Sequence, residues 1–127
     1  QAVDWPETMT WRGAMFTGVP NMLWIMGYFR ASWTLRVDLL GDFTCRLLNH
    51  MADKGVARVE VAPPAGAMAT HPWVEANDFN AGYMVRALDQ LPRSGEGPQW
   101  RHTQDYWAER EELPMVDLDA AEFHYGG

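Results

Sequence analysis

Cysteine is nearly absent: Cys45 stands alone in 127 residues, which excludes an internal disulfide framework. Such sparse use fits a reducing compartment, and the expected location is cytoplasmic. Cys45 lies among Phe43, Leu47 and Leu48, so a buried, inert thiol is expected. Positive charge is also scarce. Ten Lys and Arg against seventeen Asp and Glu leave a net charge of −7, which argues against nucleic acid and anionic membranes as partners. Long apolar runs are missing: Met22–Met26 falls far short of the ~20 residues a transmembrane helix needs. No basic start followed by an apolar segment marks a secretory signal.

Catalytic and metal signatures are equally thin. The histidines are His50, His71, His102 and His124, and no two have the i,i+3 or i,i+4 spacing of a helical metal site, so no metal is expected. The acidic cluster Glu109, Glu111, Glu112, Asp117, Asp119 and Glu122 lacks the calcium-loop pattern and reads as a solvated face. There is no G-x-S-x-G elbow. Gly95-Glu96-Gly97-Pro98 has the wrong pattern for a dinucleotide fingerprint and comes after no strand. No residue can be assigned to acid–base catalysis.

The informative residues are concentrated in 17–55. Val19-Pro20 marks a turn, and Met22–Met26, ending at Gly27, reads as a strand buried on both faces. Ser32 is placed to cap a helix of about six turns. Trp33, Val37, Leu40, Thr44, Leu47, Leu48 and Met51 recur at helical spacing, with Leu35, Leu39 and Phe43 broadening the face. Arg36, Asp38, Asp42, Arg46 and Asn49 are left for the wetter side, Asp42 and Arg46 as an i,i+4 pair, and Gly55 ends the helix. Upstream, residues 8–12 and 14–16 suggest short strands. Downstream, residues 56–61 alternate as a strand with one wet face, and Pro63, Pro64 and Pro72 interrupt regular structure beyond it. Helices are expected at about 80–91 and 103–113, the latter capped by Thr103 with Glu109, Glu111 and Glu112 in solvent. Residues 115–119 read as an edge strand and 120–127 as a fraying terminus.

These residues resemble the carboxyl-terminal part of the flavin-dependent monooxygenases, the FAD-containing group that includes Baeyer–Villiger and ethionamide-activating enzymes. In that family a G-[VIM]-P-N turn leads into the last strand of the FAD domain, matched here by Gly18-Val19-Pro20-Asn21. A G-Y-x-x-A-S-W-T-L segment then opens a long helix beside the flavin, matched by Gly27-Tyr28 and Ala31-Ser32-Trp33-Thr34-Leu35. The resemblance continues more weakly through Gly82–Pro92 and Trp100-Arg101 to Tyr106, spanning roughly residues 11–107.

The resemblance implies an α+β fragment belonging to a Rossmann-type FAD/NAD(P)-binding α/β domain: short strands, one long helix, then a helical tail. Residues 1–62 would be the strand–helix part of the FAD domain and 63–127 a carboxyl-terminal extension. Its cofactors would be FAD and NADP, with Gly27, Tyr28, Ala31, Ser32 and Trp33 beside FAD and Arg30 at the flavin's polar edge. NADPH would reduce the flavin, and a flavin C4a-peroxide would oxygenate a ketone or heteroatom of a small organic substrate. The chain opens with Gln1, and the family's GxGxxG fingerprints would lie upstream. By itself the fragment would therefore be inactive, and its partner would be the remainder of the FAD/NADP-binding domains. A rival reading is a non-enzymatic α+β module that self-associates through a surface rich in its seven tryptophans and eight methionines.

Overall fold

A 22-residue helix, α1 (Trp33–Lys54), carries the core of the computed structural model, which describes residues 2–28, 31–64, 70–73 and 86–127. Its stop is the expected one. Gly55 takes φ 69°, and the N–H groups of Gly55 and Val56 donate to Ala52 O and Met51 O at 3.1 and 3.0 Å, satisfying the last carbonyls. Its start differs. Ser32 occupies the cap position, but its hydroxyl lies 2.8 Å from Thr34 Oγ1 and bonds no first-turn amide.

The helix buries Arg36, Leu40, Phe43, Leu47 and Met51. Trp33, Val37 and Leu48, expected on the core face, are 52%, 40% and 59% exposed. At 3.6 residues per turn they form a second stripe about 80° round from the first. Sequence periodicity merges the two into one wide arc, and only the side facing the rest of the fold is covered. Cys45 lies further round still and is exposed, not buried. Arg46 turns away from Asp42: its guanidinium donates to the carbonyls of Leu113, Pro114 and Val116.

β1 (Thr10–Trp11) and β2 (Met15–Phe16) form an antiparallel hairpin with Trp11 opposite Met15. Arg12 and Gly13 turn it with φ 52° and 70°, successive left-handed residues that suit the right-handed strand twist. The expected strand after α1 is β3 (Arg58–Val61), with Val59 and Val61 inward. Its partner was not foreseen. β4 (Phe123–Gly126) pairs antiparallel with it, Val61 opposite Phe123 and Val59 opposite Tyr125. Residues 120–127 therefore do not fray, and in place of an edge strand at 115–119 there is a 3-10 turn, Leu113–Met115, with further turns beyond it. Only four residues alternate here, beside two glycines, which is too short a signal to stand out from a terminus.

The helix expected at 103–113 is α2 (Tyr106–Glu112). Asp105 caps it, accepting from Ala108 N at 3.1 Å, while Thr103 Oγ1 accepts from Asp105 N. The helix expected at 80–91 lies mostly outside the described residues; Arg86 and Ala87 are helical and run into a 3-10 turn, Leu88–Gln90. Met22–Met26 is not a doubly buried strand. It joins no ladder among the described residues, and Trp24 and Ile25 are 41% and 38% exposed. A central strand needs a neighbour on each edge, and here Trp24 N has only Ala14 O, at 2.7 Å.

The described residues thus make a small α+β fold with two two-stranded antiparallel sheets. One core draws on residues from both ends of the chain. Trp11, fully buried, stacks on Phe43 of α1 at 5.2 Å between ring centroids and meets the edge of Phe123 of β4, also at 5.2 Å.

Asn21 closes the free edge of β3. Held at φ 58°, it donates from its backbone N–H to Val59 O at 3.0 Å, accepts from Val59 N at Oδ1 (2.9 Å), and donates from Nδ2 to Ala57 O (3.0 Å). One residue thereby replaces a strand, and asparagine tolerates the left-handed backbone that this requires. Asn21→Ala leaves Val59 N–H unpaired and strains the turn. The expected loss is about 1–3 kcal/mol in urea unfolding, and an unchanged midpoint would refute the edge-plug role.

Candidate cofactor-facing site

Two opposite conditions meet where Gly27 and Tyr28 approach the start of α1. Gly27 and Tyr28 are buried, whereas Ala31, Ser32 and Trp33 are exposed. Arg30 lies outside the described residues.

Glycine is required at position 27 by contact. A Cβ there would stand 2.5 Å from Trp33 Cγ and 2.7 Å from Trp33 Cα, so the first residue of α1 lies directly over the Gly27 backbone. The Trp33 indole covers Gly27 on one side and is half open to solvent on the other.

Beneath this segment lies a buried polar cluster. Arg36 and Glu109 both have 0% side-chain exposure, and Arg36 Nε donates to Glu109 Oε1 at 2.8 Å while Nη2 reaches Oε2 at 3.3 Å. The other guanidinium contacts run to backbone: Nη1 donates to Met26 O at 2.6 Å and Nη2 to Arg12 O. Tyr28 OH donates to Glu109 Oε1 at 2.7 Å. Burial, then the Glu109 carboxylate beside it, pushes the Tyr28 phenol well above its ordinary value, so it remains a donor. Each nitrogen and oxygen of the ion pair thus has a partner, which a charge pair out of water needs.

His102 adjoins the cluster. It is buried against Gly13, whose missing side chain makes room for it, and its ring meets Trp73 edge-on at 5.6 Å between centroids. Desolvation and, less strongly, the Arg36 charge lower its pKa from 6.5 to about 3, with a Gly27 backbone hydrogen bond acting the other way. It is therefore neutral at physiological pH.

The five residues expected beside a cofactor fall into two groups. Ala31, Ser32 and Trp33 form an open surface at the N-terminus of a long helix, where amide N–H groups and the dipole suit an electron-rich atom. Gly27 and Tyr28 are buried behind that surface, their side-chain positions filled by the Trp33 ring and by Glu109. Arg36 and Glu109 were expected in water. Their partnership spans 73 residues and no local pattern reports it. One signal existed: Arg36 stands in register with Leu40, Phe43, Leu47 and Met51.

Elsewhere, a shallow groove near the far end of α1 is lined by Arg46, His50, Asp53 and Asp119. Asp119 bonds His50 Nε2 at 3.0 Å and Lys54 at 2.9 Å, and Lys54 chiefly holds its carboxyl below the usual range. Among the described residues no group of three or more His, Cys, Asp or Glu could hold a metal ion, and no helix is long and apolar enough to cross a membrane.

Comparison with known proteins gives this geometry a context. The chain is 44% identical over 125 residues to the FAD-containing monooxygenase EthA of Mycolicibacterium smegmatis, an alignment covering 98% of the chain and 25% of that protein. EthA of Mycobacterium tuberculosis is 44% identical over 106 residues, 84% of the chain and 21% of that protein. The "Probable FAD-binding monooxygenase AlmA" of Acinetobacter baylyi is 35% identical over 125 residues, 98% of the chain and 25% of that protein. The chain therefore spans about a quarter of the length of the curated relatives it matches. No family model and no solved structure matches it.

Two measurements check the cluster. Gly27→Ala drives a methyl into Trp33 and should lower stability by about 1–3 kcal/mol with a change in tryptophan emission; unchanged emission would mean the Trp33 cover is misplaced. His102 takes up a proton near pH 6.5 when unfolded but only near 3 when folded. Its contribution to stability is thus full above pH 6.5 and is lost as pH falls toward 3. Between pH 7.5 and 4.5 the wild type should lose more stability than His102→Asn, and parallel losses would count against a buried neutral ring.

Proposed function

We propose that this chain, homologous over nearly its whole length to one stretch of the FAD-containing monooxygenases, is the carboxyl-terminal part of such an enzyme and forms one wall of its flavin site. The observation that carries this reading is the 44% identity across 125 residues with the M. smegmatis EthA protein. The open surface of Ala31, Ser32 and Trp33 supports it, because that is where the resemblance puts the cofactor. When bound, FAD would supply the oxygen activation, with NADPH as reductant, for transfer to a ketone or heteroatom of a small organic substrate. This chain's own residues orient and shield. The first-turn amides of α1 offer donors to the flavin's polar edge, and Trp33 closes the site against water. Gly27 and Tyr28 back that surface from within, and none of the five acts as acid or base.

In this reading residues 1–62 are the strand–helix part of the FAD domain and 63–127 its extension, and the rest of a cytoplasmic enzyme's Rossmann-type sheet comes from polypeptide outside this chain. The exposed Trp24, Ile25, Trp33 and Val37 are then an interior surface awaiting that remainder. In isolation the same residues would drive self-association, the one respect in which the module reading has support.

The test compares lengths. By fluorescence titration the isolated 127-residue chain should show no FAD binding at micromolar concentrations, because it lacks a pyrophosphate-cradling loop. The full-length polypeptide should bind FAD and consume NADPH. Tight FAD binding by the isolated chain, or none by the full-length polypeptide, overturns the reading.

A further inference from the structure

Resting on that reading, we propose that Glu109 is a positioning residue of the flavin site, fixing through Tyr28 and Arg36 where Ala31 to Trp33 meet the cofactor. The geometry is that of a clamp. One carboxylate oxygen, Glu109 Oε1, accepts both from Tyr28 OH at 2.7 Å and from Arg36 Nε at 2.8 Å. The residues proposed to face FAD, Ala31 to Trp33, lie between those two anchors in sequence, and Gly27 adjoins the first. Both ends of the cofactor-facing segment are therefore tied to the same atom.

No local device does this work instead. Ser32 caps no first-turn amide, so the start of α1 is not fixed by its own sequence. Arg36, one turn into the helix, secures it by gripping Glu109 behind and Met26 O at 2.6 Å alongside. Glu109 in turn sits on α2, whose first turn is ordered by the Asp105 cap. The line runs from a capped helix, through one buried carboxylate, to the amides and the indole that shape the proposed wall. Displacing that carboxylate moves the wall while leaving untouched every residue that meets the flavin.

The test uses the full-length polypeptide, with FAD affinity and the visible flavin spectrum as readouts. Glu109→Gln keeps the shape but removes the charge and presents an NH2 group to the donors of Arg36. Tyr28→Phe removes one arm of the clamp and keeps the ion pair, so it serves if the first variant fails to fold. Val61→Ala, a core truncation in β3, controls for general loss of stability, and Trp33→Ala probes the wall directly. The expected result is that Glu109→Gln weakens FAD binding about tenfold or more, Tyr28→Phe weakens it by a smaller factor, and both shift the flavin absorbance, as a displaced contact surface requires. Val61→Ala should leave affinity within about twofold despite its lower melting temperature. If Trp33→Ala weakens FAD binding but the Glu109 and Tyr28 variants behave like Val61→Ala, the clamp is merely structural and the proposal is wrong. If Trp33→Ala too has no effect on affinity or spectrum, the flavin-wall reading falls and this proposal with it.

Discussion

A guanidinium and a carboxylate without access to water anchor the start of α1, and the rest of the arrangement is set by satisfying them. Arg36 brings one positive charge into the interior and needs acceptors in several directions. It finds them on Glu109 of α2, on Met26 before the helix and on Arg12 in the hairpin turn. Four segments thus meet at a single side chain. The pair does not have to add net stability over an apolar alternative, since desolvation offsets much of the attraction. Losing one member, however, leaves an uncompensated buried charge at a cost of about 3–5 kcal/mol. The arrangement is therefore close to all-or-none, which suits a segment that must hold one position.

Around that anchor, side chains substitute for regular structure. Asn21 occupies the place of a neighbouring strand at the edge of β3, and Arg46 gathers three carbonyls at the end of the α2 region. Gly13 and Gly27 give up their own side chains to admit His102 and Trp33. In sequence each looks like an ordinary turn or surface residue. Their roles appear only when partners far along the chain arrive.

This dependence on distant partners explains which features are legible in the sequence. The span of α1 and its glycine stop, the early hairpin and β3 are readable, because each depends on a local period or a local cap. Met22–Met26 misleads because composition reports hydrophobicity but not the presence of flanking strands. β4 escapes notice because its signal covers four residues. The charged core pair is hidden because polarity argues for solvent at each residue taken singly, and only the register of Arg36 with Leu40 and Phe43 hints otherwise. At the candidate site, the sequence locates the segment but not the split between Gly27 and Tyr28, which face inward, and Ala31 to Trp33, which face out.

The pairing of β4 with β3 also sets a timetable for the nascent chain. About sixty residues separate Val61 from Phe123, so at 5–20 residues per second β3 waits roughly 3–12 s for its partner. Until then Trp11 lacks the Phe123 edge that completes its packing. Asn21, made earlier than β3, is already there to occupy one side of it as it emerges, which leaves a single edge open to wrong partners during the wait.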